Sequence, residues 1–223
     1  MAKQKGITNQ ITKYQTDKKL IEFMDFLQLA DVESYAKIHN SGGSDKNSYS
    51  SRIKLNMLDY SAGTGDKIVT VNFNLTPDDI RNIYEKVQAY YQCVSDNVTD
   101  YKFTSEKINN HVVNDGKSPV SKLTISRQGK MPDGSVKRLP WTITIENGTG
   151  VAATRENGGI YMKSGSFVSE KKAFIVLTDA DMNIHFRRVV NFITCWELTY
   201  APKNIREGKQ KLIEMFSDNK NNN

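Results

Sequence analysis

Apolar and polar residues alternate strictly in two neighbouring stretches. Ile53, Leu55 and Met57 alternate with Arg52, Lys54 and Asn56, and Val69, Val71, Phe73 and Leu75 alternate with Thr70, Asn72 and Asn74. A period of two marks a half-buried strand. The loop Ser61-Ala62-Gly63-Thr64-Gly65-Asp66 between the runs makes them a β-hairpin with one apolar face. The period then changes. Ile80, Ile83, Tyr84, Val87, Tyr90 and Tyr91 recur at intervals of three and four behind Thr76-Pro77-Asp78-Asp79. Threonine caps a helix, proline suits its first position and aspartates suit its positive end, so a helix is predicted from Thr76 to about Cys93.

The alternation returns at Leu123 and Ile125, and again at Leu139, Trp141, Ile143 and Ile145, across a turn at Met131-Pro132-Asp133-Gly134-Ser135. Pro140 implies an edge or a bulge, which leaves Trp141 open between core and surface. Asn147-Gly148-Thr149-Gly150 reads as a Gly-rich loop. Strands are predicted near Gly159–Phe167 and Lys172–Leu177, and a helix from Thr178-Asp179 through Met182, Phe186, Val189 and Ile193 to about Trp196. Spacings of three and four among Leu20, Ile21, Phe23, Met24 and Leu27 predict a further helix at 17–38.

The expected divisions are a polar N-terminal segment, helix and Gly/Ser linker at 1–48, a first sheet-plus-helix unit at 49–94 and a connector at 95–119. A second unit follows at 120–200, and a short helix with a polar tail at 201–223; residues 49–200 are expected to form one compact domain. This is an α+β organisation with antiparallel sheets.

The two interior helices match each other at an offset of 102 residues. From Leu75 to Cys93 the nineteen pairs hold five identities, among them Thr76/Thr178, Asp79/Asp181 and Cys93/Cys195, and four similar pairs. Both cysteines are expected on apolar helix ends, as buried free thiols of a cytoplasmic protein.

Charge sharpens this picture. Residues 1–110 carry 14 basic and 14 acidic residues, and residues 111–223 carry 17 and 11, so the whole net charge of +6 lies in the second half. That asymmetry suits a polyanionic partner. No apolar run reaches the length of a membrane span, so no membrane role is expected.

Two tandem units of antiparallel strands closed by a helix resemble the Whirly and transcriptional-coactivator-like single-stranded-DNA-binding fold. The resemblance covers roughly Arg52–Trp196 and rests on topology, the repeat and the basic strands of the second unit. It implies four strands and a helix per unit, homo-oligomers mediated by helices, and single-stranded nucleic acid, DNA before RNA, as the partner; the N-terminal helix expected at 17–38 is an addition to that pattern. The aromatic helix residues Tyr84, Tyr90, Tyr91, Phe186, Phe192 and Trp196 supply surface for such an oligomer.

The expected binding residues are Arg52, Lys54, Lys67, Lys122, Arg127, Lys130, Lys137, Arg138, Arg155, Tyr161, Lys163, Lys171 and Lys172, interleaved with hydroxyl and amide residues that hydrogen-bond phosphates. Tyr60, Tyr161 and Phe167 are placed to stack on bases. No catalytic, cofactor or metal-binding set is expected. The histidines are scattered, neither Gly-Thr-Gly loop completes a phosphate loop, and Asp78/Asp79 and Asp179/Asp181 read as helix caps. The function expected is non-catalytic single-stranded DNA binding with little sequence preference, in replication, recombination or repair of a bacterial, phage or mobile-element genome. The alternative is an RNA-binding or protein-binding accessory factor such as a phage-encoded inhibitor.

Overall fold

A computed structural model describes residues 8–32, 37–42, 49–92, 100–109 and 116–221, with side chains through Ser217. Four antiparallel strands, β1 (Gln10–Gln15), β2 (Lys19–Phe26), β3 (Arg52–Asp59) and β4 (Val69–Leu75), form a sheet in sequential order and lead into helix α1 (Pro77–Gln92). The pattern then repeats. Strands β5 (Tyr101–Ile108), β6 (Ser118–Arg127), β7 (Trp141–Gly150) and β10 (Val168–Leu177) form a second antiparallel sheet and lead into helix α2 (Asp179–Asn221). A small hairpin of β8 (Ala152–Thr154) and β9 (Ile160–Met162) is inserted between β7 and β10.

The hairpin β3–β4 and both helix starts lie where the periodicity puts them. The N-terminal helix does not. Within 17–38 the described residues include β2, in which Ile21 and Phe23 point into the core, while Leu20, Met24 and Phe26 lie half-buried on the opposite face. Apolar residues on both faces of a strand imitate helical spacing. The first sheet therefore begins well before residue 49. β5 occupies what reads as a connector, Asn147–Gly150 completes β7, and α2 runs on as one helix where a separate C-terminal helix is expected.

Both helices open on the same capping box. The Asp79 N–H donates to Thr76 Oγ1 (3.1 Å) and the Thr76 N–H to Asp79 Oδ2 (3.0 Å). Asp181 and Thr178 repeat the exchange at 3.0 and 3.4 Å. Each pairing satisfies two backbone donors that a helix start leaves free.

One core joins the two units. Ile53, Leu55, Phe73 and Leu75 of the first sheet share it with Leu123, Ile143, Ile145 and Ile175 of the second. The helices cross over. Tyr90 of α1 packs edge-on against Trp141 and contacts Tyr101, both of the second sheet. Phe186 of α2 packs edge-on against Phe23 of the first sheet, and the Thr12 hydroxyl lies 2.9 Å from His185 Nδ1. Trp141 is fully buried, which settles its place in the core.

The edge strand β4 of the first sheet also bonds to β7, an inner strand of the second. The Asn72 N–H donates to Asn147 Oδ1 and Asn147 Nδ2 donates to the Asn72 carbonyl, both at 2.8 Å. A side-chain amide thus occupies the edge of β4 as a neighbouring strand would.

The expectation of buried cysteines fails at Cys195, which is exposed. The buried stripe of α2 runs Met182, Phe186, Val189, Ile193, and two residues further round is roughly 200° away from it at 3.6 residues per turn. Cys93 lies outside the described residues.

Candidate nucleic-acid interface

The second sheet presents an outer face opposite the core. Register places Lys102 and Thr104 of β5, Lys122, Thr124 and Ser126 of β6, Thr142, Thr144 and Glu146 of β7, and Lys172 and Phe174 of β10 on it. None of these ten side chains is buried. The face is a lawn of hydroxyls crossed by three lysines, and two of those lysines are paired. Lys122 reaches Glu106 at 2.9 Å and Lys172 reaches Glu146 at 3.3 Å. Lys122 also lies 4.2 Å from the centre of the Phe167 ring, so that aromatic is covered by a cation.

Unpaired cations gather at the two ends of this face. At one end, the β6–β7 connection folds back on itself through Met131 N–H to Ser135 O (2.8 Å) and Lys137 N–H to Gly129 O (2.9 Å). Asp133 ties its tip by accepting from the Ser135 hydroxyl at 2.6 Å and the Ser135 N–H at 2.9 Å, and these bonds hold its carboxyl below the usual range. The ordered loop carries Lys130, Lys137 and Arg138. At the other end stands the β8–β9 finger, with Arg155 at its turn and Tyr161 40% exposed beneath the guanidinium, 5.3 Å from it. Lys163 follows. The finger is seated by Met162 over Gly150; a Cβ there would lie 2.7 Å from Met162 Sδ, so any larger residue makes the Met162 side chain shift. Ten residues of β7 separate loop from finger, roughly 30 Å at 3.3 Å per residue.

The remaining candidates fall elsewhere. Arg127 is held on the inner side. Its Nε and Nη2 donate to the two carboxylate oxygens of Asp179 at 2.9 and 3.2 Å, beside Trp141 Nε1 at 2.7 Å, and its side chain is 11% exposed. The arginine clamps the start of α2 and is not a free phosphate contact. Its place next to the Thr178 cap is the signal in the fold that sequence periodicity lacks. Lys54 lies on the outer face of the first sheet, Lys67 in the 3-10 turn Gly65–Lys67, and Lys171 on exposed β10. Arg52 turns into a cleft. Tyr60 hydrogen-bonds the Thr16 carbonyl at 2.8 Å and is not free to stack.

Sequence reading also misses a polar chain. Ser51 Oγ is 3.0 Å from His39 Nδ1, His39 Nε2 is 2.8 Å from Glu197 Oε1, and Arg81 Nη2 donates to Glu197 Oε2 at 2.6 Å. Burial pushes the Glu197 carboxyl up, but Arg81 and His39 hold it below its ordinary value. Ser51 is 3% exposed and accepts the Gln28 N–H at 3.1 Å. His39 stacks on Trp196. The chain of bonds is a clasp fastening the β2–β3 connection to α2, and its residues, distant in sequence, carry no spacing signal.

Comparison with known proteins returns no matching family model, no matching curated protein and no matching solved structure. No helix among the described residues is long and apolar enough to cross a membrane.

Proposed function

We propose that the protein binds single-stranded nucleic acid, DNA in preference to RNA, without catalysis and with little sequence preference, in the cytoplasm during replication, recombination or repair of a bacterial, phage or mobile-element genome. The observation that carries this reading is the exposed hydroxyl-lined face of the second sheet with unpaired cations at both ends. Lys130, Lys137 and Arg138 on the loop and Arg155 and Lys163 on the finger have no carboxylate partner among the described residues. A backbone laid along the face meets charge at both ends and hydrogen-bonding hydroxyls between, with Tyr161 offered to a base. Two four-stranded antiparallel sheets that each lead into a helix support the reading, since the Whirly resemblance implies a similar order.

A homo-oligomer belongs to this proposal. The aromatic residues expected to drive it are largely engaged within the chain: Phe186 is buried, Tyr90 packs on the second sheet and Trp196 on His39. Leu198, Ile213, Met215 and Phe216 on the distal part of α2 are exposed instead and supply an apolar surface.

Fluorescence polarisation with single-stranded DNA, duplex DNA and RNA across a salt series tests the reading. Replacing Lys130, Lys137, Arg138 and Arg155 together by alanine is expected to weaken single-strand binding on all sequences. It should flatten the salt slope by about 0.7 for each lost contact. A parent protein with no affinity for single strands at physiological salt favours the protein-binding accessory factor. Equal binding by the folded variant moves the site away from this face.

A further inference from the structure

A second concave site lies away from the outer face of the second sheet, where the first sheet, the start of α1 and β5 meet. The cleft encloses about 410 Å³ and is lined by His39, Ser50, Ser51, Arg52, Asn74 and Lys107 among others. Two observations set it apart. Arg52 Nε and Asn74 Oδ1 are buried and have no hydrogen-bond partner among the described residues. Buried polar groups in folded proteins are almost always satisfied, so an orphan donor and an orphan acceptor lining one cleft mark a place that a ligand with both an acceptor and a donor would complete. The second observation is the pairing of cations. Arg52 and Lys107 face the same space, and neither makes an ion pair among the described residues. Arg52 lies against the rings of Phe26 and Tyr49, and the Lys107 ammonium lies 5.5 Å from the centre of the Phe73 ring. Burial foremost, and then the Arg52 charge, hold the Lys107 ammonium below its usual pKa against the opposing pull of Asp79.

The neighbouring carboxylates are occupied. Asp79 caps Thr76, and Asp78 stands at the rim, 88% exposed and 3.9 Å from Arg81. His39 is committed to Ser51 and Glu197. Two cations with no carboxylate in contact, walled by serine hydroxyls, suit a small dense anion.

We propose that this cleft binds a phosphate group, with Arg52 and Lys107 on its oxygens and Asn74 accepting from a hydroxyl or amino group of the attached nucleoside. The proposal rests on the nucleic-acid reading for the source of that phosphate, a strand laid across both sheets. A free nucleotide carries the same chemistry. Lys107 also borders the finger, beside Arg155 and Tyr161, so the independent control is the β6–β7 loop with Lys130 and Lys137, which takes no part in the cleft.

The experiment uses the full chain and three probes: inorganic phosphate, thymidine monophosphate and a fluorescently labelled thymidine oligonucleotide. Phosphate and the monophosphate are titrated into isotope-labelled parent protein and followed by amide resonances. The Asn74 side-chain amide and the backbone amides of Ser50 and Ser51 are expected to shift, while those of Lys130 and Lys137 stay in place. The R52Q/K107Q double variant is expected to lose those shifts, to bind the oligonucleotide about tenfold more weakly, and to lower its salt slope by about 0.7 per contact. The parent titration needs no variant, so it stands even where the double variant folds poorly. Oligonucleotide binding by the parent with no movement of the cleft resonances overturns the cleft proposal and leaves the proposed function standing. Cleft shifts with the monophosphate but no affinity for the oligonucleotide uphold the cleft as a free-nucleotide site and overturn the function. No response to any probe overturns both.

Discussion

Arg127 and His185 each hold a place that their residue type does not suggest. Arg127 donates two hydrogen bonds to Asp179 from a nearly closed pocket beside Trp141 and lies 5.1 Å from the centre of the Tyr90 ring. Charged hydrogen bonds of this kind contribute about 1.5–3 kcal/mol. Arg127→Ala is therefore expected to cost about 2 kcal/mol, a fall in melting temperature of about 4–8 °C for a chain of this size, whereas Lys137→Ala and Arg138→Ala should stay within about 0.5 kcal/mol of the parent. Thermal melts of the three variants check this. His185 stands at the helix position where α1 has Ile83. Burial first, then the nearby Arg188, holds its pKa below 6.5, with Asp181 opposing and the Tyr14 ring and Thr12 packed against it. The unfolded chain takes up this proton near pH 6.5 and the folded chain only at lower pH. In that interval the unfolded state binds more protons, so this contribution to stability is present above pH 6.5 and is lost as pH falls below it. Urea unfolding at pH 7.5 and pH 5.5 should show a smaller loss for His185→Leu than for the parent.

At the scale of elements, the matching capping boxes carry a prediction and a lesson. Thr76→Ala and Thr178→Ala each remove the hydroxyl acceptor of one reciprocal pair and should each cost about 1 kcal/mol, read from denaturant midpoints at unchanged slope. These boxes were legible because cap chemistry is local: threonine, two aspartates and the following apolar rhythm lie within one turn of chain. The hairpin β3–β4 was legible for the same reason, its outer face at Lys54, Asn56 and Asn72 being polar. β1 and β2 were hidden because Leu20, Met24 and Phe26 put apolar residues on both faces and erased the period of two. β7 was cut short because Gly148 and Gly150 look like loop residues. Gly148 lies under β10, where a Cβ would fall 2.0 Å from the Val168 carbonyl oxygen, at the register shift between Ser169 and Lys171. Gly148→Ala must move backbone, and is expected to destabilise far more than Gly165→Ala, where only the φ of +75° resists. The basic surface was legible only as a list. Which cations are free, and which serve Asp179, Glu106 or Glu146, follows from partners remote in sequence.

For the whole molecule, the crossed helices decide how the parts depend on one another. α1 follows the first sheet but sets Tyr90 on the second, and α2 follows the second sheet but sets Phe186 and His185 on the first. A fragment ending at residue 100 lacks the helix that covers Phe23 and Thr12. It is expected to stay unfolded, and the full chain is expected to unfold in a single transition, with circular dichroism and tryptophan fluorescence coinciding. The same crossing imposes an order in time on a ribosome. The first sheet is complete in sequence at Leu75, yet Phe186 is 111 residues further on. At about 5–20 residues per second, the nascent chain carries a naked apolar sheet for roughly 5–20 s. During that wait the growing polypeptide is a client for whatever shields greasy surfaces at the tunnel mouth, and a pause in translation anywhere between the two sheets prolongs its exposure to neighbouring chains.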